Sequence, residues 1–318
     1  MTDLPVTKLF ITGHKGLAGS ALCRKATSMG CYELIHATHA ELDLSRQEAV
    51  EEFFLKQRPE IVIHAAAKVG GVMANKNYPA DFIRENLKIQ TNVIEAARLS
   101  GVQRFLFLAS ASMYPAICPQ PIHESTLLTS HLDCSNEAYA IAKIAGVKMC
   151  QFYRQQYGLL YHSVIPTNLY GPCDNYHAEN SHVIPALIRR FHEAKLRGDR
   201  EISIWGSGTA TREFLHCDDL AEACFHLLDL DNPPDWINVG SGEEVTIANL
   251  AQSVARAVGY QGQIVNDLTK PNGYSRKFLD TSAIFATGWK PQHTLQEGLK
   301  TAYGDFLSSL QDGTARVG

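Results

Sequence analysis

A serine at the end of an apolar run and a tyrosine–lysine pair are the residues of this 318-residue chain best suited to chemistry. Tyr139 and Lys143 lie four positions apart, so a helix would place both on one face. An ammonium group beside a phenol favours the phenolate, and we expect Lys143 to lower the pKa of Tyr139 from about 10. Ser110 could then bind a carbonyl oxygen while Tyr139 protonates it. The three side chains predict reduction of a carbonyl group, or its reverse.

A second serine follows Ser110 in the segment FLFLASASMYP, residues 105–115. The apolar start of this segment predicts a buried strand. Alternate side chains of an extended chain point to the same side, so we expect the hydroxyls of Ser110 and Ser112 to share one face. Parallel α/β sheets bind ligands beyond the carboxyl ends of their strands. Both serines are therefore predicted to lie at a ligand site.

The segment GHKGLAG, residues 13–19, lies between a predicted strand over residues 7–12 and a predicted helix over residues 20–29. Glycines allow the backbone to approach a pyrophosphate closely, and the N–H groups of a helix N-terminus bind its charge. This first strand, turn and helix predict a dinucleotide site. Its predicted contacts are Gly13, His14, Lys15, Gly16, Leu17 and Gly19.

The end of the second predicted strand, YELIHAT, bears on which dinucleotide binds. An enzyme that uses NAD usually carries an acidic side chain there for the ribose hydroxyls. This chain has no carboxylate there before Glu41, so a 2′-phosphate would not be repelled. Lys15 and His39 could hold that phosphate, and Asp43 could contact the adenine. We therefore predict NADPH as the cofactor in preference to NADH.

Strands and helices alternate along the first half of the chain, which is typical of a parallel sheet covered by helices on both faces. The segments EIVIHAAA and RFLFLAS predict further strands, and a long amphipathic helix is predicted to end at Gly101. YHSVIPTNLYG predicts one more strand. The fold class predicted is α/β, a Rossmann-like doubly wound parallel sheet with a smaller C-terminal substrate-binding domain.

Two domains are predicted, because the pattern of predicted strands, helices and loops changes after Gly171-Pro172. Residues 1–172 would bind the dinucleotide, and residues 173–318 would mainly bind the substrate. Elements within about residues 213–240 are predicted to return to the first domain.

The composition excludes several classes of protein. A net charge of −4 with scattered basic residues argues against a nucleic-acid partner. Apolar runs stay well short of the roughly 20 residues that span a bilayer, so no membrane partner is predicted and a cytoplasmic location is expected. The eight cysteines form no CxxC pair, and no metal site is predicted.

Longer segments narrow the prediction to one family. HAAAKVGGVMANKNYPADFIRENL, NEAYAIAKIAG, PTNLYGPCDN, WGSGTATREFLHCDD and KPNGYSRKFLD together resemble GDP-L-fucose synthase over nearly the whole chain. The resemblance implies an extended short-chain dehydrogenase/reductase fold and a GDP-sugar substrate, GDP-4-keto-6-deoxy-D-mannose. That family inverts C3 and C5 of the sugar and then reduces C4 with NADPH. The resemblance also implies a homodimer, which we expect to form through helices around residues 85–100 and 140–157.

The resemblance assigns roles to individual residues. Ser110, Tyr139 and Lys143 would carry out the reduction, and His182 would be the acid of the epimerisation. The expected cofactor contacts are extended by Ala66, Lys143 and Asn168. The expected GDP-sugar contacts are Asn168, His182, Val183, Arg190, Trp205, Arg212 and Asn272.

The departures from the family pattern concern the epimerase chemistry and the ligand contacts. The family's strand tip reads SSCIYP, and its cysteine is the base that removes the protons from C3 and C5. Ser112 stands at that position here, and an alcohol is a far weaker acid than a thiol. Asn272 replaces an aspartate of the family, and Ala37 and His39 replace second-strand arginines.

The function predicted from these residues is NADPH-dependent reduction at C4 of a GDP-4-keto-6-deoxy sugar or a GDP-4-keto-heptose, with the epimerase step lost. Ser112 remains in the predicted catalytic set because of its position. The alternative is a bifunctional GDP-L-fucose synthase in which Cys118 or Cys173 replaces the missing base. A more remote alternative is a non-catalytic sensor that binds NADP.

Overall fold

The computed structural model describes residues 6–178, 180–270 and 274–317 of the chain. The strands in these ranges are β1 (Thr7–Thr12), β2 (Tyr32–Ile35), β3 (Ile61–His64), β4 (Arg104–Leu108), β5 (Leu160–Pro166), β6 (Asn168–Tyr170), β7 (Glu201–Trp205), β8 (Thr211–His216), β9 (Trp236–Val239), β10 (Glu244–Thr246), β11 (Gln263–Asp267) and β12 (Arg276–Lys277). The helices are α1 (Leu17–Met29), α2 (Gln47–Gln57), α3 (Val72–Asn77), α4 (Pro79–Ser100), α5 (Glu137–Tyr157), α6 (Val183–Arg197), α7 (Cys217–Leu228), α8 (Ile247–Val258), α9 (Ser282–Ala286) and α10 (Leu295–Gln311). Among the described residues, no helix combines the length and the apolar character needed to span a membrane.

The central sheet contains six parallel strands in the order β2, β1, β3, β4, β5, β9. The strand order reverses between β1 and β3, which opens a crevice beyond the carboxyl ends of those two strands. The predicted α/β class with a doubly wound parallel sheet is confirmed. The predicted helix stop is also confirmed, since α4 ends at Gly101 in a left-handed conformation with φ of 86°.

Two apolar layers cover the faces of this sheet. Leu9 and Ile11 of β1 pack with the layer that includes α1 and α7, whereas Phe10 packs with α2, α4 and α5 on the other face. This alternation follows from the period of two along a strand. All three side chains are buried, and each contributes about 1.5–3 kcal/mol through removal from water.

The strand predicted over YHSVIPTNLYG forms two strands, because the chain changes partners at Thr167. β5 pairs with β4 and β9 in the central sheet, whereas β6 pairs with β8 outside it. The Thr167 N–H donates to Val239 O over 3.0 Å, while its hydroxyl donates to Glu213 O over 3.2 Å. One residue therefore joins the two sheets.

The C-terminal part has its own sheets and its own core. β8 pairs with β6, β10 and β12, and β7 pairs with β11. Side chains of α6, α8 and α10, among them Ile188, Val254 and Phe306, form a third apolar cluster. α7 instead packs against α1, and β9 lies in the central sheet. The assignment of separate binding roles to two domains stays a prediction.

A glycine permits α5 to lie directly on β4. A Cβ atom added at Gly146 would lie 2.3 Å from the Phe107 ring, which is far inside van der Waals contact. Both residues are buried between the helix and the sheet. The absence of a side chain at Gly146 therefore sets the distance between α5, which carries Tyr139 and Lys143, and the strand that ends beside Ser110.

We predict that Gly146→Ala destabilises the protein although alanine is the better helix former. Overpacking against a buried ring costs about 1–3 kcal/mol, and the helix gains about 1 kcal/mol from the change, so a net loss of up to about 2 kcal/mol is expected. Urea unfolding followed by circular dichroism measures this difference.

The matched control is Gly304→Ala on α10, where an added Cβ meets nothing within 4 Å. This variant is expected to be as stable as the wild type or more stable by up to about 1 kcal/mol. Equal effects of the two alanines would contradict a steric role for Gly146.

Candidate active site

The tip of β4 carries both serines. Ser110 caps a single turn of 3-10 helix, Ala111–Met113, so the prediction of an extended chain through Ser112 is wrong. The turn forms because the Ser110 side chain accepts a local backbone hydrogen bond. Ser112 Oγ donates to Ser110 Oγ over 2.9 Å, and the Ser112 backbone N–H donates to the same oxygen over 3.2 Å. The two hydroxyls therefore meet by a different backbone route from the one predicted.

Helix α5 brings Tyr139 and Lys143 to this tip. Lys143 is buried, and its Nζ donates to Leu108 O over 2.7 Å. The same Nζ lies 5.9 Å from the centroid of the Tyr139 ring. Ser110 lies close enough to the Tyr139 hydroxyl to affect the pKa of that phenol. The three residues predicted for carbonyl chemistry thus lie together at the carboxyl end of β4.

The expected lowering of the Tyr139 pKa is wrong for this structure. Burial raises the pKa of Tyr139 to about 12, and the nearby Ser110 side chain acts in the opposite direction. Burial also lowers the pKa of Lys143 to about 7. The ammonium group of Lys143 donates to the carbonyl of Leu108 at the end of the strand. Desolvation of the phenol therefore remains the larger effect on the pKa of Tyr139.

The glycine turn forms a tight cradle at the switch point. Gly13 has a φ of 71°, and an added Cβ would lie 2.9 Å from the backbone of Ala66. A Cβ at Gly19 would lie 2.0 Å from Gly13 O. Thr12 Oγ1 accepts hydrogen bonds from the N–H groups of Ala65 and Ala66, which joins the ends of β1 and β3. A backbone this close, with no side chains in the way, fits a dinucleotide pyrophosphate.

Several titratable side chains contact one another beyond the end of β2. The His14 and His36 rings stack with centroids 4.6 Å apart, and His39 Nδ1 lies 4.0 Å from Asp43 Oδ1. Burial and the neighbouring His36 lower the pKa of His14. Glu41 Oε2 accepts from the Thr38 N–H over 2.7 Å and from its hydroxyl over 2.8 Å, and these bonds lower the pKa of Glu41. Sequence reasoning assigned Glu41 no role, although it is held beside the strand end.

The predicted GDP-sugar residues are distributed over the C-terminal part. His182 precedes α6, and Val183 is the first residue of that helix. The His182 side chain is exposed. Desolvation by the surrounding protein atoms nevertheless lowers the pKa of His182. Arg190 Nη2 donates to Ser203 O over 2.5 Å. Asn168 Nδ2 donates to Glu213 O over 2.9 Å.

The remaining predicted contacts lie near β8 and β7. Arg212 Nη1 donates to the carbonyls of Thr211 and Tyr274 over 2.7 and 2.8 Å. Trp205 is 60% exposed at the end of β7, which is unusual for so large a ring. Asn272 lies outside the described residues.

Two lysines near these residues were missed by the sequence reasoning. Lys277 pairs in register with Arg212 across β12 and β8, and burial lowers the pKa of its ammonium group. Lys270 Nζ lies 5.7 Å from the centroid of the Trp205 ring. The segment KPNGYSRKFLD contains both residues, but only the strand pairing reveals that Lys277 is next to Arg212.

The two cysteines considered as replacement bases are held in other contacts. Cys118 Sγ donates to Pro115 O over 3.6 Å, and burial raises the pKa of this thiol. The Cys173 N–H donates to Asp305 Oδ2 on α10, and its carbonyl accepts from Arg316.

One group of possible metal ligands occurs among the described residues, namely His216, Cys217 and Asp218. Arg24 Nη2 donates to Asp218 Oδ1 over 2.5 Å and to Cys217 Sγ over 3.6 Å. A guanidinium group thus already supplies the positive charge at this cluster, which is remote in sequence from the β4 tip.

Comparison with known proteins agrees with this geometry. The family described as the NAD dependent epimerase/dehydratase family matches residues 9–240. A curated relative named GDP-L-fucose synthase 1, from Arabidopsis thaliana, is 54% identical over 303 residues, which is 95% of this chain and 94% of the relative. The chain belongs to the GDP-L-fucose synthase family. As a member of this family it is an NAD(P)-dependent oxidoreductase.

Two solved structures resemble this GDP-L-fucose synthase family member over nearly its full length. One is described as a GDP-mannoheptose C4 reductase from Campylobacter jejuni with NADP bound; it is 36% identical with a TM-score of 0.86, and the match covers 95% of this chain and 98% of that one. The other is described as a GDP-6-OMe-4-keto-L-xylo-heptose reductase from C. jejuni, with 34% identity, a TM-score of 0.89 and the same coverage.

We predict that Lys143→Met stabilises the protein at pH 7 by about 2 kcal/mol, because it removes a buried ammonium group whose charged form is disfavoured. The pKa of Lys143 is about 7 in the folded protein and has its ordinary value of 10.5 in the unfolded chain. The unfolded wild type therefore binds more protons between these values, and wild-type stability rises with pH across that window. The advantage of the variant should shrink from pH 7 to pH 10.

Urea unfolding at several pH values, without added cofactor, measures this effect. Lys88→Met, at an exposed position of α4, is the control and should show no such pH-dependent difference. A Lys143→Met variant that is less stable than the wild type at pH 7 would contradict the proposed cost of the buried charge.

Proposed function

We propose that this protein reduces the C4 carbonyl of a GDP-4-keto-6-deoxy sugar or a GDP-4-keto-heptose with NADPH, and that it does not epimerise C3 and C5. The observation that carries the proposal is the set of Ser110, Tyr139 and Lys143 at the β4 tip beside the hydroxyl of Ser112. The groups needed for reduction are together, whereas the group expected to remove a carbon-bound proton is an alcohol.

In this proposal each residue has one task during reduction. Ser110 donates a hydrogen bond to the C4 oxygen, and Tyr139 transfers its phenolic proton to that oxygen as the carbonyl becomes an alcohol. NADPH, when bound, supplies the hydride for the new C–H bond at C4. Lys143 stabilises the phenolate left on Tyr139, since its Nζ lies 5.9 Å from the centroid of that ring.

Loss of the epimerase step follows from the available bases. An alcohol needs a strong neighbouring base to act as one itself. The Ser112 hydroxyl donates to another hydroxyl, that of Ser110. Burial raises the pKa of the Cys118 thiol. The backbone of Cys173 is hydrogen-bonded to Asp305 of α10 and to Arg316, which holds this residue beside the C-terminal segment. His182 retains the position of the family's acid, but an acid alone does not start epimerisation.

The substrate part of the proposal rests on positive charge and one exposed ring. Arg190, Arg212 and Lys277 would bind the diphosphate, because guanidinium and ammonium groups pair with phosphate oxygens. Trp205 would stack on the nucleotide or sugar. Asn168, His182, Val183 and Asn272 complete the proposed contacts.

A second candidate, the bifunctional GDP-L-fucose synthase, is favoured by one finding. The curated relative with 54% identity carries that name. The sensor alternative has less support, because Tyr139 and Lys143 are retained and Lys143 is held in a costly buried position. The homodimer stays a prediction; Ile141 and Phe152 on α5 expose apolar side chains that such an interface would cover. The cytoplasmic location also stays a prediction.

The two catalytic candidates are separated by NMR in deuterated buffer with GDP-4-keto-6-deoxy-D-mannose. We expect no deuterium at C3 or C5 without NADPH, and reduction at C4 when NADPH is added. Ser112→Cys should introduce a thiol at the family's position and increase exchange at C3 or C5, whereas Tyr139→Phe should abolish reduction. Deuterium at both carbons with the wild type would instead establish the bifunctional enzyme.

Should neither exchange nor reduction occur with this ketosugar, GDP-4-keto-heptoses and epimerised ketosugars are tested next with the same readout. Absence of NADPH oxidation with all of them would refute the reductase proposal.

The preference for NADPH is tested at Lys15. This residue is exposed beside the cradle, where its ammonium group can reach a 2′-phosphate. Loss of one charged hydrogen bond of about 1.5 kcal/mol predicts that Lys15→Ala raises KM for NADPH about tenfold. KM for NADH should change little. Lys25→Ala, on the following helix α1 and paired with Glu222, is the control; an equal loss for both cofactors would contradict a phosphate contact.

A further inference from the structure

The hydroxyl of Ser110 has both of its acceptor positions in use. Its oxygen accepts one hydrogen bond from the Ser112 hydroxyl at 2.9 Å and another from the Ser112 backbone N–H at 3.2 Å. A serine hydroxyl offers one proton and two lone pairs. The remaining capacity of Ser110 is therefore its own proton, and any third partner must accept it.

Tyr139 is a neighbour of Ser110. Helix α5, which carries Tyr139, packs against the Ala111–Met113 turn. Ser110 acts to lower the pKa of the Tyr139 phenol, against the effect of burial. Because both lone pairs of Ser110 are in use, its proton is the group it offers to an acceptor oxygen.

We propose that Ser112 is a positioning residue for the reduction, because its hydroxyl orients the Ser110 hydroxyl so that its proton is directed to the C4 oxygen of the substrate. The inference rests on the proposed reductase function for its catalytic consequence. It assigns Ser112 a task in place of the proton abstraction performed by the family's cysteine.

The presence of a serine at position 112, where the family has a cysteine, has two effects under this proposal. A thiol is a weak hydrogen-bond donor, so a cysteine would hold the Ser110 oxygen less firmly. The serine removes the base and supplies a stronger, shorter bond to Ser110. One substitution would thus favour reduction while it disfavours epimerisation.

The backbone bond and the side-chain bond of Ser112 can be separated by mutation. Any residue at position 112 except proline keeps the N–H that caps the 3-10 turn, but only serine or threonine keeps the hydroxyl. In Ser112→Ala one lone pair of Ser110 becomes free, so Ser110 can rotate and accept a bond from Tyr139 instead of donating one.

The test compares Ser112→Ala and Ser112→Thr with Ser125→Ala. Ser125 is the matched control, because its N–H and hydroxyl likewise bond one side chain, His123, in the other 3-10 turn, Glu124–Thr126. Single-turnover reduction of GDP-4-keto-6-deoxy-D-mannose by NADPH is the first readout. Ser112→Ala should slow hydride transfer about five- to tenfold with KM within about twofold, as expected for the loss of one oriented hydrogen bond.

The second readout does not depend on activity. In protein labelled with ¹³C at tyrosine Cζ, the Tyr139 resonance is assigned by its loss in Tyr139→Phe. We expect the Cζ chemical shift of Tyr139 at pH 8, which reports the hydrogen bonding of the phenolic oxygen, to differ from the wild type in Ser112→Ala and to match it in Ser112→Thr and Ser125→Ala. Lys143, whose Nζ lies 5.9 Å from the centroid of this ring, is unchanged in all three variants.

Wild-type hydride transfer together with a wild-type Tyr139 chemical shift in Ser112→Ala would overturn the positioning role. Should Ser112→Ala fail to fold, Ser112→Cys must show both changes to a smaller degree, and full wild-type behaviour there would overturn it equally. A wild type that reduces no ketosugar refutes the proposed function, while the Tyr139 chemical shift still decides whether Ser112 orients Ser110.

Discussion

The hydrogen bond from Lys143 Nζ to Leu108 O, 2.7 Å long, is the interaction on which the candidate site depends. It ties α5 to the carboxyl end of β4, and it does so with a buried ammonium group. Burial of a charge is unfavourable, which is why the pKa of Lys143 falls to about 7. Perturbed groups of this kind are concentrated at functional sites. The close approach also requires Gly146, because any side chain there would meet the Phe107 ring.

A second constraint acts at the switch point of the sheet, two strands from β4. Thr12 accepts from the backbone of Ala65 and Ala66, and Gly13 packs directly on Ala66. These contacts bring the ends of β1 and β3 together and leave the start of α1 open toward a ligand. The cradle and the Ser110 tip therefore lie along the same edge of one sheet. A cofactor bound across this edge would extend from the first toward the second.

The family scaffold supports both reduction and epimerisation, and the balance between them depends on few side chains. Reduction needs a proton donor and a group that polarises the carbonyl oxygen; epimerisation also needs a base strong enough to remove a proton from carbon. In this chain the candidates for the first task, Ser110, Tyr139 and Lys143, lie together at the β4 tip. The residue at the position of the base, Ser112, is bonded to Ser110. The hydrogen bonds of this tip connect position 112 to the reductase group.

The sequence by itself determined the order of elements, the glycine cradle, the tyrosine–lysine spacing and the family, because these depend on local periodicity and on motifs that lie close together in the chain. It also indicated which residue departs from the family pattern. Tertiary structure decided the rest. The pKa of Tyr139 rises because burial is the largest effect on it, and burial is not visible in the spacing of two residues. The change of sheet at Thr167 depends on hydrogen-bond partners distant in sequence, the carbonyls of Val239 and Glu213. Lys277 becomes a neighbour of Arg212 only when β12 pairs with β8, since strand register is set by packing across the whole sheet.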